Sequence, residues 1–165
     1  MPVTPDELLG RLVDLGITAT THEHPPLRTV DEAKRLRGEL PGAHVKNLFL
    51  RGKQGRYWLF TTLEDKTVDL KALGQKLDAG RFSFGSADAL QAMLGILPGA
   101  VSPLAAINDP IGAVTVVLDE ALLDAELLNV HPLRNDRTTA LAPRDLVRFL
   151  DACGHPPHLI RLQAA

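Results

Sequence analysis

The stretch "VKNLFLRGKQGRYWLFTTL", Val45 to Leu63, constrains the fold more than any other part of the chain. Two apolar runs flank Gly52 and Gly55, the pattern of a β-hairpin. A polar pair, Lys46 and Asn47, sits where the first run begins. Strand ends tolerate polar groups cheaply, so the pair is either plain surface or part of a site. The Gly52-Lys53 pair is not a phosphate-binding loop, because no Ser or Thr follows the lysine and the upstream glycine spacing is missing.

Other segments supply elements to pack on that hairpin. Thr4 and Glu7 form a capping box with Pro5 at the first helical position. Leu8, Leu12 and Leu15 give that helix one apolar stripe, and Gly16 ends it. "ITATTHEH" is extended and stops at Pro25-Pro26. Thr29 and Glu32 form a second capping box, opening a helix to about Arg37 with Val30, Ala33 and Leu36 on one side. "DLKALGQKLD" and "SADALQAMLG" read as short helices, the latter capped by Ser86, with a short strand in "RFSFG" between them. "AVSPLAAINDPIGAVTVVLDEALL" is an irregular segment followed by a buried strand, Ala113 to Leu118. Beyond it come a loop, a strand near Thr138 to Leu141, a helix from Pro143 to Cys153 closed by Gly154, and a last strand in "HLIRL". The pattern is an α+β fold: a single domain spanning 1–165, with a mixed sheet and helices over it.

Composition narrows the function classes. The 165 residues suit one domain and can bury a real core. A formal net charge of −2 does not mark a nucleic-acid binder, so any contact with RNA needs a local basic patch. Lys34, Arg35, Arg37, Lys46, Arg51, Lys53 and Arg56 cluster in the first third and offer one, although such residues are more often a solvated face. The single cysteine, Cys153, excludes an internal disulfide and multi-cysteine zinc sites. It sits at a helix C-terminus, where the dipole disfavours a thiolate, and continues the apolar face of Leu146, Phe149 and Leu150. No run reaches the roughly 18 apolar residues of a membrane helix, and the N-terminus lacks a signal peptide's apolar core. A reducing, cytoplasmic setting is expected. His22 and His24 share a strand face but give only two ligands, and spacing places no third, so no metal site is expected. His155 and His158 are read, like them, as exposed strand and loop histidines.

Three loop segments are harder to dismiss: "GAHVKN" (Gly42 to Asn47), "GAVSPLAAIND" (Gly99 to Asp109) and "VHPLRNDRTT" (Val130 to Thr139). Each sets Gly or Pro and polar side chains beside apolar runs, and function concentrates in loops held on a rigid scaffold. Together and in this order they resemble the bacterial prolyl-tRNA editing family, the YbaK-like and ProX-like free-standing deacylases related to the editing domain inserted in bacterial prolyl-tRNA synthetases. The likeness runs from about Thr4 to Leu162. "SPLAAIND" looks more like the branch that removes alanine from tRNA(Pro) than the branch that removes cysteine. Val130 stands where that branch commonly has Gly, which changes the backbone freedom of the loop.

The resemblance implies a mixed α/β fold and a pocket for a small aminoacyl group, with the ester joining alanine to the terminal adenosine of tRNA(Pro) as substrate. The family's lysine and asparagine fall on Lys46 and Asn47, its Gly and Ser-Pro loop on Gly99, Ser102 and Pro103, and its His-Pro loop on His131 and Pro132. An aminoacyl ester is already activated, so hydrolysis needs a placed water or the neighbouring ribose hydroxyl, plus oxyanion stabilisation. Lys46 suits the terminal phosphate or the oxyanion, and Asn47 the α-amine or carbonyl. Adjacent strand residues face opposite ways, so both serve one pocket only if the strand is irregular or ending there. Val30, Ala33, Leu36, Pro41 and Val45 are expected walls that exclude the larger proline. Lys34, Arg35 and Arg37 beside the mouth would meet the tRNA. No cofactor is called for. A prolyl-tRNA synthetase partner stays open, as do a Cys-tRNA(Pro) deacylase and a non-catalytic binder of tRNA or synthetase.

Overall fold

A computed structural model describes residues 2–26, 35 and 40–162. The first helix, α1 (Pro5–Asp14), starts at the expected capping box: Thr4 Oγ1 accepts from Glu7 N, and Glu7 Oε1 accepts from Thr4 N. Leu8 and Leu12 are its buried stripe, and Gly16 ends it with φ +72.

Among the described residues eight strands form one mixed sheet: β1 (Ala19–Glu23), β2 (Ala43–Arg51), β3 (Tyr57–Leu63), β4 (Ser83–Phe84), β5 (Val114–Asp119), β6 (Leu128–Val130), β7 (Arg137–Leu141) and β8 (His158–Ile160). Their order is β1-β7-β6-β2-β3-β5-β8, with β4 also on β2. The hairpin is β2–β3, in unbroken antiparallel register from Val45↔Leu63 to Arg51↔Tyr57. β6 runs parallel to β2, and β5 parallel to β3.

Alternation along β2 and β3 splits the core in two. Val45, Phe49, Tyr57, Leu59 and Leu63 point to the larger cluster, which α1, α3 (Ala87–Leu94), α4 (Pro143–Ala152) and the 3-10 helix Pro103–Asn108 complete. Leu48, Leu50, Trp58 and Phe60 point the other way, under α2 (Leu70–Lys76) and Phe82. Helix α4 puts Leu146, Phe149 and Leu150 wholly out of solvent, each worth roughly 1.5–3 kcal/mol of burial. Asp69 and Ser86 cap α2 and α3 through their side chains.

The structure departs from the sequence reading in three places. β6 lies where only a loop was expected; three residues are too few to show a strand period. The "SPLAAIN" stretch is a 3-10 helix rather than irregular chain. Val130 needs no glycine-like freedom, because it is a buried β6 residue paired with Thr139. The left-handed turn of that loop falls instead on Leu133, at φ +69. The helix expected from Thr29 to Arg37 lies outside the described residues, apart from Arg35, which is helical and exposed.

Candidate active site

The register of the sheet aligns a row of polar side chains on one face. Asn47 lies opposite Thr61 and Lys46 opposite Thr62. β6 pairs with β2 at Ala43↔Leu128 and His44↔Asn129. Continued by two residues, that parallel register sets His131, just past β6, level with Lys46. Val45 and Val130 both pack into the larger core, so alternation turns Lys46 and His131 to the opposite face. Thr138 on β7 and His24 after β1 extend the row on one side, joined by a 2.8 Å contact from His24 Nε2 to Thr138 Oγ1. Thr62 and Asp119 extend it on the other, with Thr62 Oγ1 donating to Asp119 Oδ2 at 2.7 Å.

Lys46 is half-buried, and its ammonium donates to the backbone carbonyl of Lys66. An ammonium has three N–H donors, so this bond leaves two for a ligand oxygen. His131 Nδ1 lies 3.0 Å from the Arg137 carbonyl oxygen. A carbonyl can only accept, so Nδ1 carries the hydrogen and neutral Nε2 keeps its lone pair. Burial pulls the His131 pKa below the ordinary histidine value, the Arg137 bond opposes that shift, and the nearby His24 adds to it. The ring is therefore neutral at pH 7, which is the state a general base needs.

Asn47 does not join this row. β2 is regular through residues 46 and 47, so the condition under which both could serve one pocket is not met by an irregular strand. On the opposite face Asn47 Nδ2 donates to the Val101 carbonyl at 3.0 Å and Oδ1 accepts from Thr61 Oγ1 at 2.6 Å. Asn47 thus ties the Gly99-to-Pro103 loop to the sheet. Ser102 and Pro103 are buried, and Ser102 Oγ caps the 3-10 helix by accepting from Leu104 N at 3.2 Å. The end of the same motif is also structural. Asn108 Oδ1 accepts from Val3 N, and Asp109 accepts from Ala113 N and Val114 N, folding the turn into β5.

The Gly99 and His131 loops meet: a Cβ on Gly99 would lie 3.1 Å from Asn135 Nδ2. Between them opens a cleft of about 490 Å³ lined by Pro26, Ile96, Gly99, Leu133 and Arg134 among others. Arg134 forks onto Asp136 at 2.9 and 2.6 Å and shapes its rim. Pro132 is buried beneath this loop. A larger cavity of about 810 Å³, along α2 and Arg81, holds none of the candidate residues.

Other expected site residues fall elsewhere. Val45 packs into the larger core, facing away from Lys46. Pro41 is exposed, and its carbonyl accepts from Asn129 Nδ2. Val30, Ala33, Leu36, Lys34 and Arg37 lie outside the described residues. Arg51, Lys53 and Arg56 do not flank Lys46; they sit at the turn end of the hairpin, where Lys53 pairs with Asp78. His155 is not an exposed loop histidine: it is buried, with Nε2 2.6 Å from the Asp109 carbonyl oxygen. Burial pushes the Cys153 thiol up to about 11, against a lowering influence of Arg11. Among the described residues no three His, Cys, Asp or Glu gather as a metal site, and no helix is long and apolar enough to cross a membrane. Sequence reading missed Thr62, Asp119 and Thr138. Only the hairpin register could have flagged Thr62, as the residue opposite Lys46.

Comparisons with known proteins agree with this architecture. The aminoacyl-tRNA editing domain family matches residues 24–149. The prolyl-tRNA editing protein ProX of Acetoanaerobium sticklandii is 36% identical over 94% of this chain and 95% of its own length. The prolyl-tRNA synthetase associated domain-containing protein 1 of Mus musculus is 37% identical over 93% and 94%. Among solved structures, a candidate trans-editing enzyme for prolyl tRNA synthetase superposes with a TM-score of 0.75, covering 98% of this chain and 97% of that one at 21% identity, a likeness of fold.

Proposed function

The chain belongs to the aminoacyl-tRNA editing domain family, and from that premise we propose that it is a trans-editing hydrolase that removes alanine from mischarged Ala-tRNA(Pro). What supports the reading is the β6–β2 register, which, continued two residues past His44↔Asn129, brings Lys46 and His131 to one level of the sheet. Water, or the ribose hydroxyl beside the ester, attacks the acyl carbon while His131 Nε2 takes its proton. The Lys46 ammonium faces the oxyanion that develops. As the tetrahedral species collapses, the acyl C–O bond breaks and the proton on Nε2 passes to the departing ribose oxygen. With water as nucleophile the products are alanine and free tRNA; attack by the ribose hydroxyl first moves the acyl group, and water then completes the release.

In this scheme Asn47 acts from behind. By holding Val101 it fixes the Gly99, Ser102 and Pro103 loop against the Pro132 loop. Val30, Ala33 and Leu36 wall the acyl pocket and exclude the larger prolyl ring, since a shaped pocket rejects best what cannot enter. Lys34, Arg35 and Arg37 meet tRNA phosphates beside the mouth, and prolyl-tRNA synthetase is the natural partner for handing over the mischarged end. The substrate sets the reaction in the cytoplasm.

The test is deacylation of Ala-, Cys- and Pro-tRNA(Pro) by purified protein. Hydrolysis of the alanyl ester with sparing of the prolyl ester is expected. Faster clearance of Cys-tRNA(Pro) would move the protein to the cysteine branch. No hydrolysis of any of them, with tRNA still bound, would make it a non-catalytic binder.

A further inference from the structure

We infer that Asp119 is a positioning residue for Lys46 and acts through Lys66; this rests on the reading of Lys46 given above. Asp119 ends β5 and is fully buried. Its Oδ2 accepts from Thr62 Oγ1 at 2.7 Å and lies 3.0 Å from the Lys66 ammonium, while Oδ1 accepts from Ala121 N at 3.0 Å. Every one of these partners belongs to the protein, so Asp119 is not waiting for a ligand. What it holds is the turn after β3. Lys66 N donates to the Leu63 carbonyl at 3.1 Å, and Glu64 N donates to the His44 carbonyl on β2 at 3.0 Å. The Lys66 side chain reaches back from that turn to Asp119, and the Lys66 carbonyl accepts the Lys46 ammonium. One residue therefore seats Lys46 with its backbone and is itself anchored by its side chain.

Stability alone is a weak reason for such a pair. Burying the carboxylate costs about as much as its attraction to the part-exposed Lys66 ammonium returns, and apolar replacements are often as stable. Fixing a flexible four-carbon stem has more to offer. A lysine side chain carries large rotamer entropy, and a rigid acceptor confines it before substrate arrives. Burial opposes ionisation of Asp119, but the bonds from Thr62, Ala121 and Lys66 and the Lys66 charge outweigh it and hold the carboxyl below its ordinary range. The anchor is thus charged at any pH at which the enzyme would work. Asp119 also caps the 3-10 helix Glu120–Asp124. Asparagine keeps an acceptor for Ala121 N and loses the charge that holds Lys66, so Asp119→Asn separates the two roles.

The experiment is single-turnover deacylation of Ala-tRNA(Pro) by wild type, Lys46→Ala, Asp119→Asn, Lys66→Met and the two double variants carrying Lys46→Ala. Asp119→Asn and Lys66→Met are each expected to lower the rate constant by about 10- to 100-fold, the scale of a small misplacement of a reacting group. The half-saturating tRNA concentration should stay within about twofold, since only a transition-state contact is disturbed. On the Lys46→Ala background neither change should cost more than about a further twofold, because residues acting as a unit are not additive. Lys66→Met keeps the backbone carbonyl and alters a side chain that is 32% exposed, so it carries the test if Asp119→Asn does not fold. Wild-type rates for the Asp119 and Lys66 variants beside an impaired Lys46→Ala would overturn the inference and leave the Lys46 reading standing. Full additivity in the double variants would overturn it as well. A wild-type rate for Lys46→Ala would remove the Lys46 reading and the inference together.

Discussion

Lys46→Ala is the sharpest test of the site, because its effects on stability and on rate differ in size. Lys46 is half-buried and donates to the Lys66 carbonyl. A hydrogen bond from a charged donor is worth roughly 1.5–3 kcal/mol net. A chain of 165 residues loses about 2–4 °C in Tm per kcal/mol, so the variant should stay folded and melt roughly 3–12 °C below wild type. The rate should respond by more than that stability loss. Loss of one preorganised oxyanion donor costs about 2.7–4 kcal/mol, on the order of 10²–10³ in the chemical step. Lys46→Arg should restore little, because a planar guanidinium fork does not fit where a compact ammonium meets a single carbonyl. The assay is single-turnover hydrolysis of Ala-tRNA(Pro) by all three proteins, with thermal melts alongside. A folded Lys46→Ala protein within about threefold of wild type, well under 1.4 kcal/mol, would return Lys46 to the strand surface and leave His131 without a partner.

His131 is held neutral by burial, so its folded pKa lies below its unfolded one. The stability it contributes is present above the ordinary histidine value and is lost as pH falls through the lower folded value; the deacylation rate should be flat near pH 7 and drop only on that acid side. An acid limb at or above the ordinary value in a pH–rate profile would mean another group titrates. Asn47→Ala leaves the buried Thr61 hydroxyl without its acceptor and should cost about 1–3 kcal/mol, or roughly 2–12 °C in Tm. An unchanged melt with a lost rate would place Asn47 on the substrate instead. Neutralising Lys34, Arg35 and Arg37 together should weaken tRNA binding and flatten its salt dependence. An unaltered slope of log K against log salt would move the tRNA to another face.

The hairpin and the helix starts were legible because their signals are local. Gly52 and Gly55 sit between two apolar runs, and Thr4 with Glu7 satisfies a helix N-terminus within one turn. The candidate site was legible only through resemblance, and then only in part. His24, Thr138, His131, Lys46, Thr62 and Asp119 come from separate stretches, and the parallel step from β6 to β2 aligns two of those stretches. No spacing within one segment encodes that step. β6 itself, three residues long, left no pattern to find.

Sequence adjacency also misleads inside a strand. Lys46 and Asn47 look like one catalytic pair, yet a regular strand sends neighbours to opposite faces and groups each with its cross-strand partner. Lys46 goes with Thr62, and through it with Asp119; Asn47 goes with Thr61 and, through its own Nδ2, with Val101. Two polar residues side by side at a strand's start can therefore answer to one function from both sides of the sheet. The lysine reaches the face where the ester would lie. The asparagine, with both ends of its amide committed to the protein, holds the loop that closes the other side. Its requirement is geometric, and a substitution there should be felt first in the shape of that loop rather than in the chemical step.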